Sequence, residues 1–170
     1  MSSTLQELNR ELKRYETMYD REQRFKMVRE RSGISLVLYV EALVEKYGPE
    51  IYDVLGNVSR EFAYTRYSKI INQLGIKEQN AIAAVKLISY VHTIGGIKGE
   101  VIEASPEKSV RIERECPMKD IYTYEMCKNI VSLPALQGIC KALGGNLVVS
   151  HPKYMPRGDD VCEFVFEMKG

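Results

Sequence analysis

The hydrophobic pattern of this chain changes its period once, at Gly95-Gly96. Before that point apolar residues recur at helical spacing. After it they alternate in short β-prone runs separated by turn residues. Helices followed by strands make an α+β chain, in which N-terminal helices pack on a C-terminal antiparallel sheet. The spacing predicts helices over 2–31, 34–47, 49–74 and 78–94, with Gly48, Gly75 and Gly95 as stops. It predicts strands over 99–104, 110–116, 147–151 and 161–168, with helical inserts at 119–131 and 134–143. We expect residues 1–31 to form an N-terminal helix and 32–170 a single α+β domain.

Two expectations about faces follow. In the second strand, Val110, Ile112, Arg114 and Cys116 fall on one side and Arg111, Glu113 and Glu115 on the other. The first set is expected to face inward. In the last strand, Cys162, Phe164, Phe166 and Met168 share a face. The first half of the 34–47 segment is almost continuously apolar and reads as a buried helix. Leu5, Leu8, Leu12, Tyr15 and Tyr19 repeat at spacings of four and three, a coiled-coil-like seam that suits a homodimer contact or packing on the chain's own domain.

Charge excludes some functions. The chain has 24 basic and 23 acidic residues among 170 and a formal net charge of +1. A balance this close removes the driving force of nucleic-acid binding. No apolar run is long enough to span a bilayer. The polar N-terminus lacks the apolar core of a signal peptide, so a cytoplasmic location is expected. There is no Walker motif, dinucleotide fingerprint, nucleophile elbow or zincin helix. Tyr39, Tyr47, Tyr52, Tyr64, Tyr67 and Tyr90 lie on the apolar helices, where they pack the core or line a ligand cavity.

All four cysteines lie in the last third: Cys116, Cys127, Cys140 and Cys162, in company with His151, Asp159 and Asp160. Ten, twelve and twenty-one residues separate consecutive cysteines, and no Cys-x-x-Cys is present. Any shared site must therefore be assembled by the fold. The thiols are small core residues, metal ligands or reactive groups. Pro117 ends the strand at Cys116 and the Gly158 turn begins the one at Cys162, so convergence of Cys116, Cys127 and Cys162 at a sheet rim is expected, with Cys140 or His151 as a fourth group. Zinc is the default metal for such scattered ligands, and an iron–sulfur cluster is the alternative if all four thiols meet. Cys162 as nucleophile and Asp159, or its neighbour Asp160, as general base are the catalytic candidates.

The run Arg114-Glu115-Cys116-Pro117, then Met126-Cys127, then Gly158-Asp159-Asp160-Val161-Cys162-Glu163-Phe164 resembles the L-2-amino-thiazoline-4-carboxylic acid hydrolase-like family. The same ending is similar to the 4-vinyl reductase domain, a relative of ligand-binding domains in hydrocarbon-sensing regulators and of Golgi-transport tethering subunits. The resemblance spans residues 35–168. It implies a domain that binds a small apolar or heterocyclic ligand or a metal, with redox sensing as a further role. The alternatives are a hydrolase that opens a cyclic thiazoline-type amidine and a structural dimer without catalysis. The sequence departs from the sensor pattern between Cys127 and Cys162. There the family's metal-binding Glu-x-x-Cys is replaced by Ser150-His151-Pro152-Lys153-Tyr154, which leaves His151 as the substitute ligand.

Overall fold

The computed structural model describes residues 18–170 together with Glu7, Arg10 and Arg14. Leu5, Leu8, Leu12 and Tyr15 of the expected dimer seam lie outside the described residues. The first helix, α1, spans Arg21–Tyr47. Asp20 caps it: its carboxylate accepts from the Gln23 backbone N–H at 2.8 Å, and the Gln23 side chain accepts from the Asp20 N–H at 3.0 Å. Two orphan donors of the first turn are thereby satisfied. Gly48 ends the helix with φ 90°. The expected break between residues 31 and 34 does not occur. Gly33 continues the helix, and its missing side chain serves packing: a Cβ there would sit 2.1 Å from Met118 Cε.

Helix α2 (Ile51–Leu74) ends at Gly75 in the left-handed conformation. Asn80 caps α3 (Ala81–Ile94) by accepting from the Ala83 N–H. A four-stranded sheet follows: β1 (Lys98–Ala104), β2 (Lys108–Glu115), β3 (Leu147–Lys153) and β4 (Cys162–Met168), in the spatial order β1-β2-β4-β3. All neighbours are antiparallel. The α+β class read from the sequence is the one observed. Between β2 and β3 run a short helical stretch (Tyr124–Met126), a π-helical turn (Cys127–Val131) and α4 (Leu133–Ala142). Register irregularities interrupt β1 at Lys98/Gly99 and Val101/Glu103, and β3 between Ser150 and Lys153. Among the described residues no helix is long and apolar enough to cross a membrane.

The main core lies between the helices and one face of the sheet. Helix α3 is its centre, with Ala81, Ala83, Ala84, Val85, Leu87 and Ile88 all buried. From β4, Cys162, Phe164 and Phe166 meet it, the face expected from alternation. A second cluster joins Val40 of α1 to Met126 and Ile130 of the insert. Helix α1 is less buried than its composition suggests: Ile34 is 51%, Leu38 60% and Tyr39 69% exposed. Only a strip through Gly33 and Val40 faces the domain.

The facing of β2 reverses the expectation. Arg111 pairs with Phe164 and Glu113 with Cys162 in register, so Ser109, Arg111 and Glu113 point with the aromatic residues toward the helices. Arg111 is 4% and Glu113 2% exposed, whereas Arg114 is exposed. Val110 and Ile112 occupy the opposite face. Charge on the inner face is tolerable because α3 supplies partners. Arg111 Nη1 donates to Ser89 Oγ at 2.9 Å, Glu113 pairs with His92 Nδ1, and Arg111 Nε, which makes no hydrogen bond, stands at ion-pair distance, 3.5 Å, from the Glu113 carboxylate. A buried charge with partners in place avoids most of the cost of an unpaired one.

Helices α2 and α4 cross in close contact because Gly138 lacks a side chain. A Cβ there would lie 2.6 Å from both Ala63 Cβ and the Arg60 carbonyl oxygen. Backbone atoms cannot yield as a flexible side chain can. Gly138→Ala should therefore destabilise the fold by about 2 kcal/mol through overpacking. Urea unfolding of the variant beside the parent chain measures this, and an unchanged midpoint would contradict the packing described.

Candidate functional site

Where the inner face of β2 and β4 meets α3, α4 and the π-turn, the side chains do not close on each other. They leave a cavity of about 290 Å³, walled mainly by apolar groups. Phe164 of β4 and Leu136 and Ile139 of α4 form its apolar wall, and Tyr67 of α2 reaches it from behind. The polar groups come from separate elements: His92 at the end of α3, Glu113 of β2, Ser132 before α4 and His151 of β3. The π-turn places Cys127 against the same space, and Cys116 and Cys162 complete the lining.

Three of the four cysteines thus border one cavity. Cys140 does not. It is 4% exposed within the helical core, packed as a small hydrophobe. The thiols are all free. Among the described residues, no three His, Cys, Asp or Glu side chains are grouped to hold a metal ion. The lining as it stands does not fit a zinc centre. An iron–sulfur cluster with four thiolates lacks its fourth ligand, because Cys140 lies elsewhere.

The thiols are also held in their neutral form. Burial pushes Cys127 up to about 12, with further upward pushes from Cys116 and Cys162. Burial likewise raises Cys162 to about 11, despite the Met155 N–H that donates to its sulfur at 3.4 Å. Cys116 is raised for the same reason. Reactive cysteines need the opposite environment, a cation or helix N-terminus that favours thiolate. Asp159 is occupied by its own turn: its carboxylate accepts from the Tyr154 N–H at 2.7 Å and from Arg157 Nη2 at 2.6 Å. It does not line the cavity, and neither does Asp160; both border a shallow depression on the other side of the sheet.

His151 differs from the other polar groups. Its ring lies 3.5 Å from that of Tyr154 and 4.3 Å from that of Phe164, centroid to centroid. Nδ1 is 3.1 Å from Ser132 Oγ. Nε2 is buried and has no partner. Burial, aided by His92, pushes the imidazole down to about 3, so the ring is neutral across the physiological range. The side chain borders the largely apolar cavity, and a buried ring nitrogen left without a partner there is suited to one polar group of a ligand. Sequence reading singles out Cys116, Cys127, Cys162 and His151 as site residues but not His92, Glu113 or Ser132. Of the six helical tyrosines it names, only Tyr67 lines the cavity. Tyr39, Tyr47, Tyr64 and Tyr90 are exposed, and Tyr52 packs against the second cluster.

The depressed His151 value has a consequence for stability. In the unfolded chain this imidazole titrates near 6.5. Below that pH the unfolded state binds the proton and the folded state does not. The contribution is therefore intact above about 6.5 and is lost as pH falls toward 3, by about 1.4 kcal/mol per pH unit. His151→Phe should flatten this part of the acid dependence. Urea unfolding of both proteins at stepped pH checks it, and parallel curves would show that His151 is not buried neutral.

No family model and no curated protein matches the sequence. Several solved structures share its fold, among them two that carry a small molecule. One is a trafficking protein particle complex subunit 3 from Naegleria fowleri covalently bound to palmitic acid, with a TM-score of 0.62 and 13% identity over 85% of this chain and 97% of that one. The other is the phenol-responsive sensory domain of the transcription activator PoxR with phenol, with a TM-score of 0.60 and 11% identity over 80% of this chain and 74% of that one. At these identities the likeness is one of fold. It agrees with the α+β architecture read from the sequence and shows neither the thiazoline hydrolase family nor the 4-vinyl reductase domain in particular.

Proposed function

We propose that this chain is a ligand-binding domain of the sensory kind, which takes a small, mostly apolar compound with one polar group into the cavity between sheet and helices. The observation that carries the reading is a largely apolar cavity bordered by His151, a buried neutral histidine with an unpartnered ring nitrogen. An engineered cavity of about 150 Å³ holds benzene, so about 290 Å³ suits a one- or two-ring compound. Phenols and indole-type heterocycles have the right composition: an aromatic body for Phe164, Leu136 and Ile139, and a single O–H or N–H for His151. Three protonated thiols add soft, polarisable surface that favours aromatic rings. Support from the two fold neighbours is of the same kind, since one responds to phenol and the other carries palmitic acid. Neutral thiols and a committed Asp159 favour binding over hydrolysis.

Thermal-shift and calorimetric titration with phenol, 2-naphthol, indole and naphthalene tests the proposal. At least one hydroxyl- or N–H-bearing compound should raise the melting temperature more than naphthalene does. Ala135→Trp, which fills the cavity from α4, should abolish the effect. His151→Leu should weaken the polar ligands by roughly tenfold, the worth of one hydrogen bond, and leave naphthalene unaffected. Binding that survives Ala135→Trp unchanged would place the ligand elsewhere and overturn the reading.

A further inference from the structure

The outer face of α1 carries a second pattern. Met27, Arg31, Ile34, Leu38, Glu41 and Glu45 follow one another at alternating steps of four and three residues, and every one of them is exposed. Steps of four and three are the signature of a seam between two packed helices. The helix runs unbroken through the whole seam. Beside it lies a groove lined by Val28, Arg31, Ser32, Ser35, Leu36 and Tyr39. Nothing among the described residues covers Ile34, Leu38 or Tyr39.

The seam is complementary to itself when reversed. An antiparallel copy centred between Ile34 and Leu38 sets Ile34 against Leu38 and Arg31 against Glu41, each pair twice. Small Ser35 falls beside its own equivalent on one flank, and Val28 meets Ala42. The charge of the helix is divided in the same sense. Arg21–Arg31 holds five basic and two acidic residues, and Glu41–Asp53, which runs past the helix end, holds four acidic and one basic. A parallel pairing would place like charges together. Neither Arg31 nor Glu41 has an ion-pair partner among the described residues. A second exposed apolar row, Val54, Val58 and Phe62 of α2, differs here: Glu61 beside it is already held by Lys141 at 2.8 Å.

We infer that α1 is the contact through which two copies of this chain associate, antiparallel, with Arg31 of each facing Glu41 of the other. A two-fold contact of this kind is isologous, so one substitution acts at two places. Both side chains are exposed, and replacing them leaves the core intact.

Light scattering of the full chain over a concentration series at low salt reads the association. The parent chain should dimerise. Arg31→Glu and Glu41→Arg should each raise the dimer dissociation constant by roughly tenfold or more, since each sets like charges together twice. An equimolar mixture of the two single variants should recover a heterodimer, because every facing pair is then opposite in sign. The doubly substituted chain should recover a homodimer for the same reason. A parent chain that stays monomeric at all concentrations overturns the inference. So does a mixture that fails to recover, single variants that associate like the parent, or association lost on deleting residues 1–17 or on Phe62→Ser yet unaffected by the charge exchange.

Discussion

A carboxylate buried against an apolar helix must be neutralised where it stands, and Glu113 is the point around which this domain is organised. Its register partner on β4 is Cys162, so it faces the helices rather than water. Arg111 two residues earlier and His92 from α3 supply the compensation, and Ser89 holds the arginine. These contacts fix α3 over β2 at a set height. With α3 fixed, its alanine-rich face can lie close to Phe164 and Phe166. The cavity is what remains beyond His92, where α3 ends and no side chain takes its place.

That arrangement explains how much the sequence reveals. The order of elements and the inward face of β4 are legible because apolar alternation is their direct signal. The facing of β2 is not legible. Its inner residues are Ser109, Arg111 and Glu113, and nothing local shows that Ser89 and His92, some twenty residues earlier, will meet them. The continuity of α1 through Gly33 is hidden for a related reason: a glycine read as a break is in fact a contact, made necessary by Met118. Apolar richness in α1 suggested burial, but only one strip of that helix meets the domain.

The cavity was partly legible. Cysteines and a histidine stand out in any sequence, and Cys116, Cys127, Cys162 and His151 do border it. Their state is set by burial, which no spacing encodes. The same low-dielectric surroundings keep the thiols protonated and the imidazole neutral. Groups that look reactive in the sequence thereby become the uncharged lining of an apolar space. Ser132 escaped notice because its role depends on the π-turn before it, which delivers the chain to α4 with the hydroxyl beside His151.

The irregular register of the two outer strands bears on how the molecule behaves in crowded solution. An open sheet offers unpaired backbone donors and acceptors along both margins, and such margins recruit strands from other molecules. Here β1 is broken in register twice and carries Lys98, Glu100 and Glu103, while β3 contains Pro152, which has no N–H to give. Neither margin presents a straight ladder. Among the described residues the sheet stops at four strands without curling into a barrel, and its irregular, charged margins disfavour fibril-like stacking.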